Sequence, residues 1–375
     1  MIYADNSAST FFKPDCVINA VTNAIRFLPA NPGRSGHSLS LKGARLVENT
    51  RRKLLDYLGA DGEVIFTANC TDALNLAILG TIERGHVITS VYEHNSVLRP
   101  LFHLKRLGRI ALTVVAPKRG LTLTVDDFLP AFQRDTVAVV VTHVSNVTGA
   151  ISPLFKLGEL CRSRGVLFIV DGAQSVGYTT VDMKKTNIDM LALAPHKGLH
   201  AVQGVGALVV RGGVKLNPIR FGGTGTSSLS LTQPTDFPDG YESGTLPTPA
   251  IAGLNSAISW CEKNDLQNKR IMQNLGEYLF EKLSAVAGVK IFQPENALHG
   301  LLSFSVPSLP SDYITEILSN EYDICARGGI HCAPLTHRFL SSEKTGLTRL
   351  SLGIDNTTTQ IDYIASAIAE ITKKH

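Results

Sequence analysis

A lysine stands directly after an apolar segment that has the length of a β-strand. Lys197 follows the run 190–194, which contains only Met, Leu and Ala, and it is flanked by His196 and Gly198. In open α/β sheets, ligands bind at the carboxyl ends of the strands. A partly desolvated lysine amine at such a place is nucleophilic and can form an imine with an aldehyde cofactor. Taken alone, an ordinary surface lysine is the more common explanation.

An aspartate follows a second apolar run of the same kind. Asp171 comes directly after residues 168–170, Phe-Ile-Val, and lies 26 residues before Lys197. A pyridine-ring cofactor requires an anion beside its ring nitrogen, because the protonated ring is the form that accepts electrons. Asp171 can supply that anion. Taken singly, a strand-end turn or a helix N-cap explains this residue equally well.

Two other strand ends carry residues that suit such a cofactor. Cys70 and Thr71 lie between a predicted strand and a predicted helix, and a helix N-terminus with small hydroxyl residues binds anions such as phosphate. An N-cap role for Thr71 is the plain alternative. His94 follows the run 86–90 and can stack on a flat ring or transfer a proton. Its plain alternative is a loop histidine.

The elements that must position these residues alternate along the chain. Most of the short β-branched runs are apolar on both faces, which predicts a mainly parallel sheet covered by helices on both sides. The pattern predicts one large α/β domain, residues 14–250, with a seven-stranded sheet. The predicted strands are 64–66, 86–90, 111–116, 137–144, 166–170, 190–194 and 206–211.

A smaller α/β domain is predicted from the two ends of the chain, residues 1–13 and 251–375. The loop-rich stretch 221–249 precedes it and has little periodicity. Two helical patterns follow, at 251–260 and near 271–286. A strand, a helix and a strand are then expected at 301–306, 312–320 and 348–352, before a final helix.

Composition excludes several classes of partner. The chain of 375 residues carries 36 Lys and Arg against 32 Asp and Glu, a net charge of +4 without a basic run, so nucleic acid is not expected. The first residues lack a signal-peptide pattern, and the apolar runs are far too short for a membrane span. Six scattered cysteines without a Cys-x-x-Cys pair predict reduced thiols in a cytoplasmic protein and no metal site.

Several segments resemble a known family. Residues 326–335, Ala-Arg-Gly-Gly-Ile-His-Cys-Ala-Pro-Leu, resemble the active-cysteine segment of the cysteine desulfurase and selenocysteine lyase family, in its short-loop subgroup. This family belongs to the class V aminotransferases, which have the type I fold of enzymes that use pyridoxal 5'-phosphate (PLP). Similar matches occur at 3–10, 31–37, 241–245 and 348–351. The resemblance covers nearly the whole chain.

The resemblance implies PLP as the cofactor and a set of residues that hold it. Lys197 would carry the cofactor, Asp171 would face its ring nitrogen, and Gln174 would bond its ring hydroxyl. His94 would stack on the ring, with Asn146 beside it. The phosphate would be bound by Cys70, Thr71, His196 and, from the second copy of a homodimer, Thr245.

The resemblance also implies a reaction. Arg349, with Asn146, would bind the carboxylate of L-cysteine or L-selenocysteine, since a guanidinium forms two parallel bonds to a carboxylate. The catalytic residues would be Lys197, which moves the proton at the substrate Cα, His94, and Cys332, which takes the sulfur as a persulfide and releases alanine. His331 or Arg327 would favour the thiolate of Cys332. A sulfur-acceptor protein is an expected partner.

The same residues are also compatible with other interpretations. Cys332 could be a buried core cysteine, as is expected of Cys16, Cys161 and Cys261. The protein could be a selenocysteine lyase, a plain class V aminotransferase, a cysteine β-lyase, or a non-catalytic protein on an enzyme fold. Ala194 stands where the family usually has a hydroxyl residue, which predicts one phosphate hydrogen bond fewer, worth about 0.5–1.5 kcal/mol.

Overall fold

A seven-stranded sheet forms the centre of the protein. The computed structural model describes residues 1–307 and 309–374. The strands of the sheet are β2 (Gly62–Thr67), β3 (Gly85–Ser90), β4 (Ile110–Val115), β5 (Thr136–Thr142), β6 (Leu167–Asp171), β7 (Met190–Leu193) and β8 (Gly206–Arg211). Their order is β2-β8-β7-β6-β5-β3-β4, and only β8 runs antiparallel to its neighbours. The predicted mainly parallel sheet of seven strands is confirmed.

Both faces of this sheet are buried, as the apolar runs predicted. Along β5, Val139 and Val141 belong to one apolar cluster, whereas Ala138 and Val140 belong to the cluster on the opposite face. Side chains alternate between the faces of a strand, so an unbroken apolar run needs cover on both sides. Helices give that cover: α1 (Asp15–Phe27), α2 (Ser38–Tyr57), α3 (Cys70–Thr81), α4 (Asn95–Arg106), α5 (Val125–Phe128) and α6 (Leu154–Arg164).

One long helix replaces the two helical patterns predicted after residue 250. Helix α7 runs from Thr248 to Ser284 without a break. The intervening stretch 262–270 is polar, but it contains neither Gly nor Pro and lies mostly in solvent. A Lys269–Asp265 ion pair of 2.8 Å, one helical turn apart, supports it. The polarity therefore reflects exposure of the helix and does not mark its end.

The two ends of α7 pack in different cores. Ile251, Leu254 and Ile258 join the cluster beneath the large sheet, whereas Leu275 and Leu279 join a separate cluster formed by the C-terminal elements. The predicted domain division at residue 250 stays a prediction. The remaining elements are β1 (Ile2–Tyr3), β9 (Lys290–Ile291), β10 (Leu301–Ser305), α8 (Ser311–Tyr322), β11 (Ile324–Cys325), α9 (Pro334–Phe339), β12 (Thr348–Ser351) and α10 (Thr358–Lys374).

The N-terminus and the C-terminal elements are joined by strand pairing. Strands β9, β10 and β12 form an antiparallel sheet, and β1 pairs in parallel with β11. The residues after β1 then run beside β12, where Asp5 and Ser351 form a parallel bridge. The first few residues are thus fixed next to residues near the end of the chain. Within residues 1–307 and 309–374, no helix combines the length and apolar character needed to cross a membrane.

A buried ion pair ties the segment around residue 242 to the large sheet. Arg51 of α2 bonds both carboxylate oxygens of Glu242, at 2.8 and 2.6 Å, and it also donates to the carbonyl of Val64 in β2. Glu242 accepts a further bond from the backbone N–H of Phe66, at 2.5 Å. Both charged side chains are less than a tenth exposed. Each charge is therefore stable only in the presence of the other.

We expect Glu242→Gln to lower the free energy of unfolding by about 3 kcal/mol or more, because it leaves Arg51 buried without a counter-charge. Urea denaturation measures this effect. The matched control is Glu48→Gln, which breaks the exposed pair of Glu48 with Arg52 at 3.1 Å and should cost about 0.5 kcal/mol or less. Equal effects of the two substitutions would contradict the argument.

Candidate functional site

The predicted functional residues meet at the carboxyl edge of the large sheet. Parallel strands end at the same edge, so the loops after β2, β3, β5, β6 and β7 lie together. They enclose a cavity of about 120 Å³. Eight predicted site residues line it: Cys70, Thr71, His94, Asn146, Asp171, Gln174, His196 and Lys197.

Lys197 extends from the loop after β7. Its backbone N–H bonds the carbonyl of Ala194 at 3.0 Å, which closes a tight turn at the strand end. Burial lowers the pKa of the Lys197 amine, and Arg349 and Arg327 lower it further, whereas Asp171 and Cys70 raise it. Burial dominates because it removes water from a charged group. The site therefore favours a more nucleophilic amine than an exposed lysine has.

Asp171 ends β6 and is almost fully buried. Its Oδ1 accepts a bond from the backbone N–H of Ala173 at 2.9 Å and lies 3.7 Å from Sγ of Cys70. Burial, followed by the charge of Asp171, raises the pKa of the Cys70 thiol, so the thiol keeps its proton and points it at the carboxylate. The thiol of Cys70 thus lies at the aspartate, and its predicted phosphate role stays a prediction.

The N-terminus of α3 is capped by a residue that the sequence reading did not single out. The side chain of Asn69 accepts the backbone N–H of Asp72 at 2.9 Å, so the alternative in which Thr71 caps the helix is wrong. Asn69 precedes the helix in an extended conformation, as an N-cap must. The hydroxyl of Thr71 instead bonds Ser96 Oγ at 2.8 Å. The first turn of α3 therefore faces the cavity as an anion site.

His94 is held in one tautomer at the start of α4. Its Nδ1 accepts from the backbone N–H of Ser96 at 3.1 Å, which assigns the ring proton to Nε2. Burial lowers the pKa of His94, and the nearby Lys197, Arg327 and Arg99 lower it further, against the opposing effect of Asp171. The ring is therefore neutral at pH 7. A neutral, oriented imidazole suits both stacking and proton transfer.

Two buried amide oxygens in the cavity have no hydrogen-bond partner among the described residues. Gln174 donates its amide to the carbonyl of Ser7 at 2.9 Å, and Asn146 donates to the carbonyl of His331 at 2.8 Å. The opposite amide atoms, Oε1 of Gln174 and Oδ1 of Asn146, are buried and unpaired. Buried acceptors without donors are costly, which indicates that a bound group completes them.

The donor set fits PLP. The cavity has an amine at Lys197, an anion at Asp171, a neutral imidazole at His94 and a helix N-terminus at Thr71. The amine suits the aldehyde of the cofactor, and the anion suits its ring nitrogen. The imidazole suits the aromatic face of the ring, and the helix N-terminus suits the phosphate. The unpaired oxygen of Gln174 is available to a ring hydroxyl. The residues that line the cavity therefore suit this cofactor.

His196 borders the cavity on the side of the N-terminal segment. Burial lowers its pKa to about 4, and Lys197 and Lys13 lower it as well, so the ring is neutral. Its Nδ1 lies 3.2 Å from Ser9 Oγ, and its carbonyl accepts from Thr10 Oγ1 at 3.0 Å. The segment that matched the family near residue 10 thus supports the loop that carries Lys197.

Arg349 is a buried charged group near the site. It lies in β12 with only 1% of its surface exposed, which excludes an ordinary surface arginine at this position. Its guanidinium donates to the carbonyl of Asn146 at 3.0 Å and to Oδ1 of Asp5 at 2.6 Å. The bond to Asn146, which lines the cavity, connects Arg349 to the site.

Cys332 lies at the surface beside the same cavity. Its carbonyl accepts the backbone N–H of Asn95 at 2.7 Å, next to His94. The carbonyl of the preceding residue, His331, is held by Asn146. Cys161 and Cys261 are buried, as expected of core cysteines, whereas Cys16 is exposed and that expectation is wrong.

His331 does not supply a positive charge to the thiol. Its side chain is buried between His337, at 3.3 Å from Nδ1, and the carbonyl of Arg327, at 3.2 Å from Nε2. Burial lowers the pKa of His331 to about 2, with Arg349 as the next cause. This ring therefore stays neutral, and the expectation that His331 or Arg327 favours the thiolate of Cys332 stays a prediction.

Thr245 is the predicted site residue that lies away from the cavity. It is exposed, and Asn31 donates to its hydroxyl at 3.3 Å. Conversely, Asn69, Ser96 and Thr142 line the cavity although sequence reasoning did not select them. Thr142 ends β5, so the strand-end rule that located Asp171 could also have located it. Ser96 carried no comparable signal.

A buried glutamate lies beneath His94. Glu93 accepts from Ser90 Oγ at 2.5 Å, and its Oε2 has no partner in the part of the chain that the structure describes. Burial raises the pKa of Glu93 to about 8, and Asp171 adds to this, while bonds from Ser90 and the backbone of Thr142 act in the opposite direction. The carboxyl group is therefore largely protonated in the folded protein at neutral pH.

This raised pKa predicts a pH-dependent loss of stability. Between its ordinary pKa of 4.5 and about 8, the folded protein keeps a proton on Glu93 that the unfolded chain releases, so stability falls as pH rises through that window. We expect Glu93→Gln to gain roughly 2–4 kcal/mol in unfolding free energy relative to wild type between about pH 5 and about pH 8. Urea denaturation at both pH values measures this. Exposed Glu63→Gln is the control, and a gain independent of pH would contradict the assignment.

Comparisons with known proteins agree with this arrangement. The model of the family "Aminotransferase class-V" matches residues 2–364. A "Probable cysteine desulfurase" from Methanothermobacter thermautotrophicus is 30% identical over 381 residues, which cover 99% of this chain and 94% of the relative. "Cysteine desulfurase IscS" from Pseudomonas putida is 30% identical over 400 residues, covering 100% and 93%.

The architecture is shared with solved structures as well. The apo structure of a cysteine desulfurase from Thermococcus onnurineus NA1 superposes with a TM-score of 0.92 at 30% identity, covering 100% of this chain and 95% of that one. The fold is thus the predicted type I fold of PLP enzymes, with a mostly parallel central sheet. By its sequence, its fold and the residues at its sheet edge, the chain belongs to the class V aminotransferase family.

Proposed function

We propose that this protein is a PLP-dependent cysteine desulfurase, which converts L-cysteine to L-alanine and transfers the sulfur to Cys332 as a persulfide. The observation that carries the proposal is the attachment of an exposed cysteine to the cofactor cavity. Asn95, next to His94, binds the carbonyl of Cys332 at 2.7 Å, and Asn146 binds that of His331 at 2.8 Å. A transaminase has no need for a thiol at this rim.

Each residue has a role in this reaction. PLP, when bound, supplies an electron sink at the substrate Cα. The amine of Lys197, with its lowered pKa, accepts and returns protons at the substrate Cα. Asp171 would place its carboxylate beside the cofactor ring nitrogen, and Arg349 would bind the substrate carboxylate. His94, neutral and with its proton on Nε2, would face the cofactor ring.

Cys332 performs the sulfur transfer. Its thiolate attacks the sulfur of the substrate, the S–S bond forms as the Cβ–S bond breaks, and the electron pair left on Cβ takes up a proton to give the methyl group of alanine. The sulfur then resides on Cys332 as a persulfide, from which an acceptor protein removes it. Exposure of Cys332 allows that second protein to reach it.

Activity assays with two substitutions test this proposal. With L-cysteine, we expect Lys197→Ala to lower alanine production by about 10³-fold or more, since the acid–base group is lost. Cys332→Ala should abolish sulfur release from L-cysteine but preserve alanine formation from L-selenocysteine, which depends less on the second thiol. Cys16→Ala, at an exposed cysteine of α1, is the matched control and should match wild type.

The other outcomes identify the rival functions. Production of pyruvate and ammonia would indicate a β-lyase, and amino transfer to a keto acid that is insensitive to Cys332→Ala would indicate a plain aminotransferase. Activity with L-selenocysteine alone would indicate a selenocysteine lyase. The proposal is contradicted if any of these results is obtained and the protein does not desulfurate L-cysteine.

We propose further that the protein acts as a homodimer in which Thr245 contacts the cofactor phosphate of the other copy. Thr245 is exposed and fixed from behind by Asn31. Arg34 holds the same loop through the carbonyls of Gly223 and Gly244, at 3.0 and 3.1 Å. An exposed hydroxyl that does not line its own cavity is available to a neighbouring subunit.

Mixing two variants tests this arrangement. Thr245→Val should weaken PLP binding about tenfold through the loss of one charge-assisted bond. In mixed dimers with Lys197→Ala, the intact Thr245 of one subunit serves the intact Lys197 of the other. We expect about a quarter of the sites to regain tight PLP binding and activity after random exchange of subunits. If mixing restores nothing, Thr245 does not act across subunits.

A further inference from the structure

Arg349 is already bonded to a carboxylate of its own chain. Its Nη2 lies 2.6 Å from Oδ1 of Asp5, and its Nη1 donates to the carbonyl of Asn146 at 3.0 Å. The third nitrogen, Nε, is buried and has no acceptor within residues 1–307 and 309–374. The guanidinium therefore has Nη2 bonded to Asp5, Nη1 bonded to Asn146 and a buried Nε that lacks an acceptor.

The backbone fixes Asp5 at this place independently of its charge. The N–H of Ser351 bonds the carbonyl of Ala4 at 2.7 Å, and the N–H of Asn6 bonds the carbonyl of Ser351 at 3.0 Å. Asp5 lies between these two bonds, and its parallel bridge to Ser351 places it beside β12. The contact with Arg349 thus follows from strand pairing that would persist if the carboxylate were neutralised.

The two partners differ in their access to water. Arg349 is 1% exposed, whereas the side chain of Asp5 is 20% exposed. Burial lowers the pKa of Arg349, and the nearby Arg327 lowers it too, while Asp5 is the main opposing influence. A buried guanidinium beside a second cation is costly without an anion, so Asp5 stabilises it before any substrate arrives.

We propose that Asp5 is a positioning residue that holds Arg349 for the substrate carboxylate and limits the strength with which Arg349 binds it. This inference rests on the proposed function only in assigning the substrate carboxylate to Arg349. The incoming carboxylate supplies the acceptor that the buried Nε lacks, while Asp5 keeps its bond to Nη2. Two carboxylates then bind one guanidinium, and the repulsion between them weakens the binding of each to Arg349.

A limited carboxylate affinity has a clear use. Alanine, the product, carries the same carboxylate and amine as the substrate. A site that binds these two groups tightly therefore also retains the product. Equal binding of substrate and product does not raise turnover, and excess ground-state affinity slows release. Asp5 reduces that affinity without moving Arg349 out of place.

Ligand binding to the PLP-loaded protein tests the proposal. The probe is 3-mercaptopropionate, which has the thiol and carboxylate of the substrate but no amine and is not turned over. Asp5→Asn keeps the shape and an acceptor oxygen but removes the charge, so we expect calorimetry to show about tenfold tighter binding. KM for L-cysteine should fall in parallel. Asp5→Glu should stay near wild type.

Two controls make the result specific. Asp15→Asn, at an exposed aspartate of α1, changes the net charge equally and should leave binding unchanged. Arg349→Gln should abolish binding of the probe. Asp5→Ser gives a second neutral variant in case Asp5→Asn does not fold, with tighter binding again expected.

The results separate this inference from the proposed function. If binding is unchanged or weaker in folded neutral variants, or survives in Arg349→Gln, the inference is wrong. If it becomes tighter while neither wild type nor variant forms alanine from L-cysteine, the proposed desulfurase function fails and the role of Asp5 stands. If alanine forms normally but Asp5→Asn binds like wild type, only the role of Asp5 fails.

Discussion

The shared direction of the strands is the constraint on which the site depends. Strands β3, β5, β6 and β7 run in parallel, and β2 ends at the same edge because only β8 is reversed. Five loops that are distant in sequence are therefore brought around one cavity by backbone hydrogen bonds alone. Lys197 and Asp171 meet because their strands are neighbours in register, with Asp171 paired to Ala192. A change in strand order would separate them.

The net charge in the cavity depends on which of its titratable side chains are neutral. Lys197, Arg327 and Arg349 lie close enough to influence one another, and the main groups that oppose them are Asp171 at Lys197 and Asp5 at Arg349. Burial lowers the pKa of the surrounding histidines and raises that of Glu93, so these groups add little charge at neutral pH. The field at the amine of Lys197 is thus set by a few permanent charges.

Much of this could be predicted from sequence because strand ends leave a strong signal. The apolar runs before Asp171 and Lys197 located both the strands and the residues that follow them. Local polar partners left a weaker signal: the cap at Asn69 and the bond of Ser96 to Thr71 depend on short-range geometry. The pairing of Asp5 with Arg349 joins residues 344 positions apart, and no local pattern encodes it. The continuity of helix α7 was not predicted, because its exposed middle is polar and lacks the apolar pattern of the two ends.

The loop of Cys332 is held in a strained backbone conformation beside the cavity. His331 and Cys332 both have positive φ angles, 53° and 56°, a conformation that costs a non-glycine residue about 1–2 kcal/mol. Bonds from Asn95 and Asn146 hold the loop in this shape. A short loop held at both residues does not extend far from the cavity. In the proposed reaction, the surface around this loop, and not its mobility, would therefore decide which acceptor can take the sulfur from Cys332.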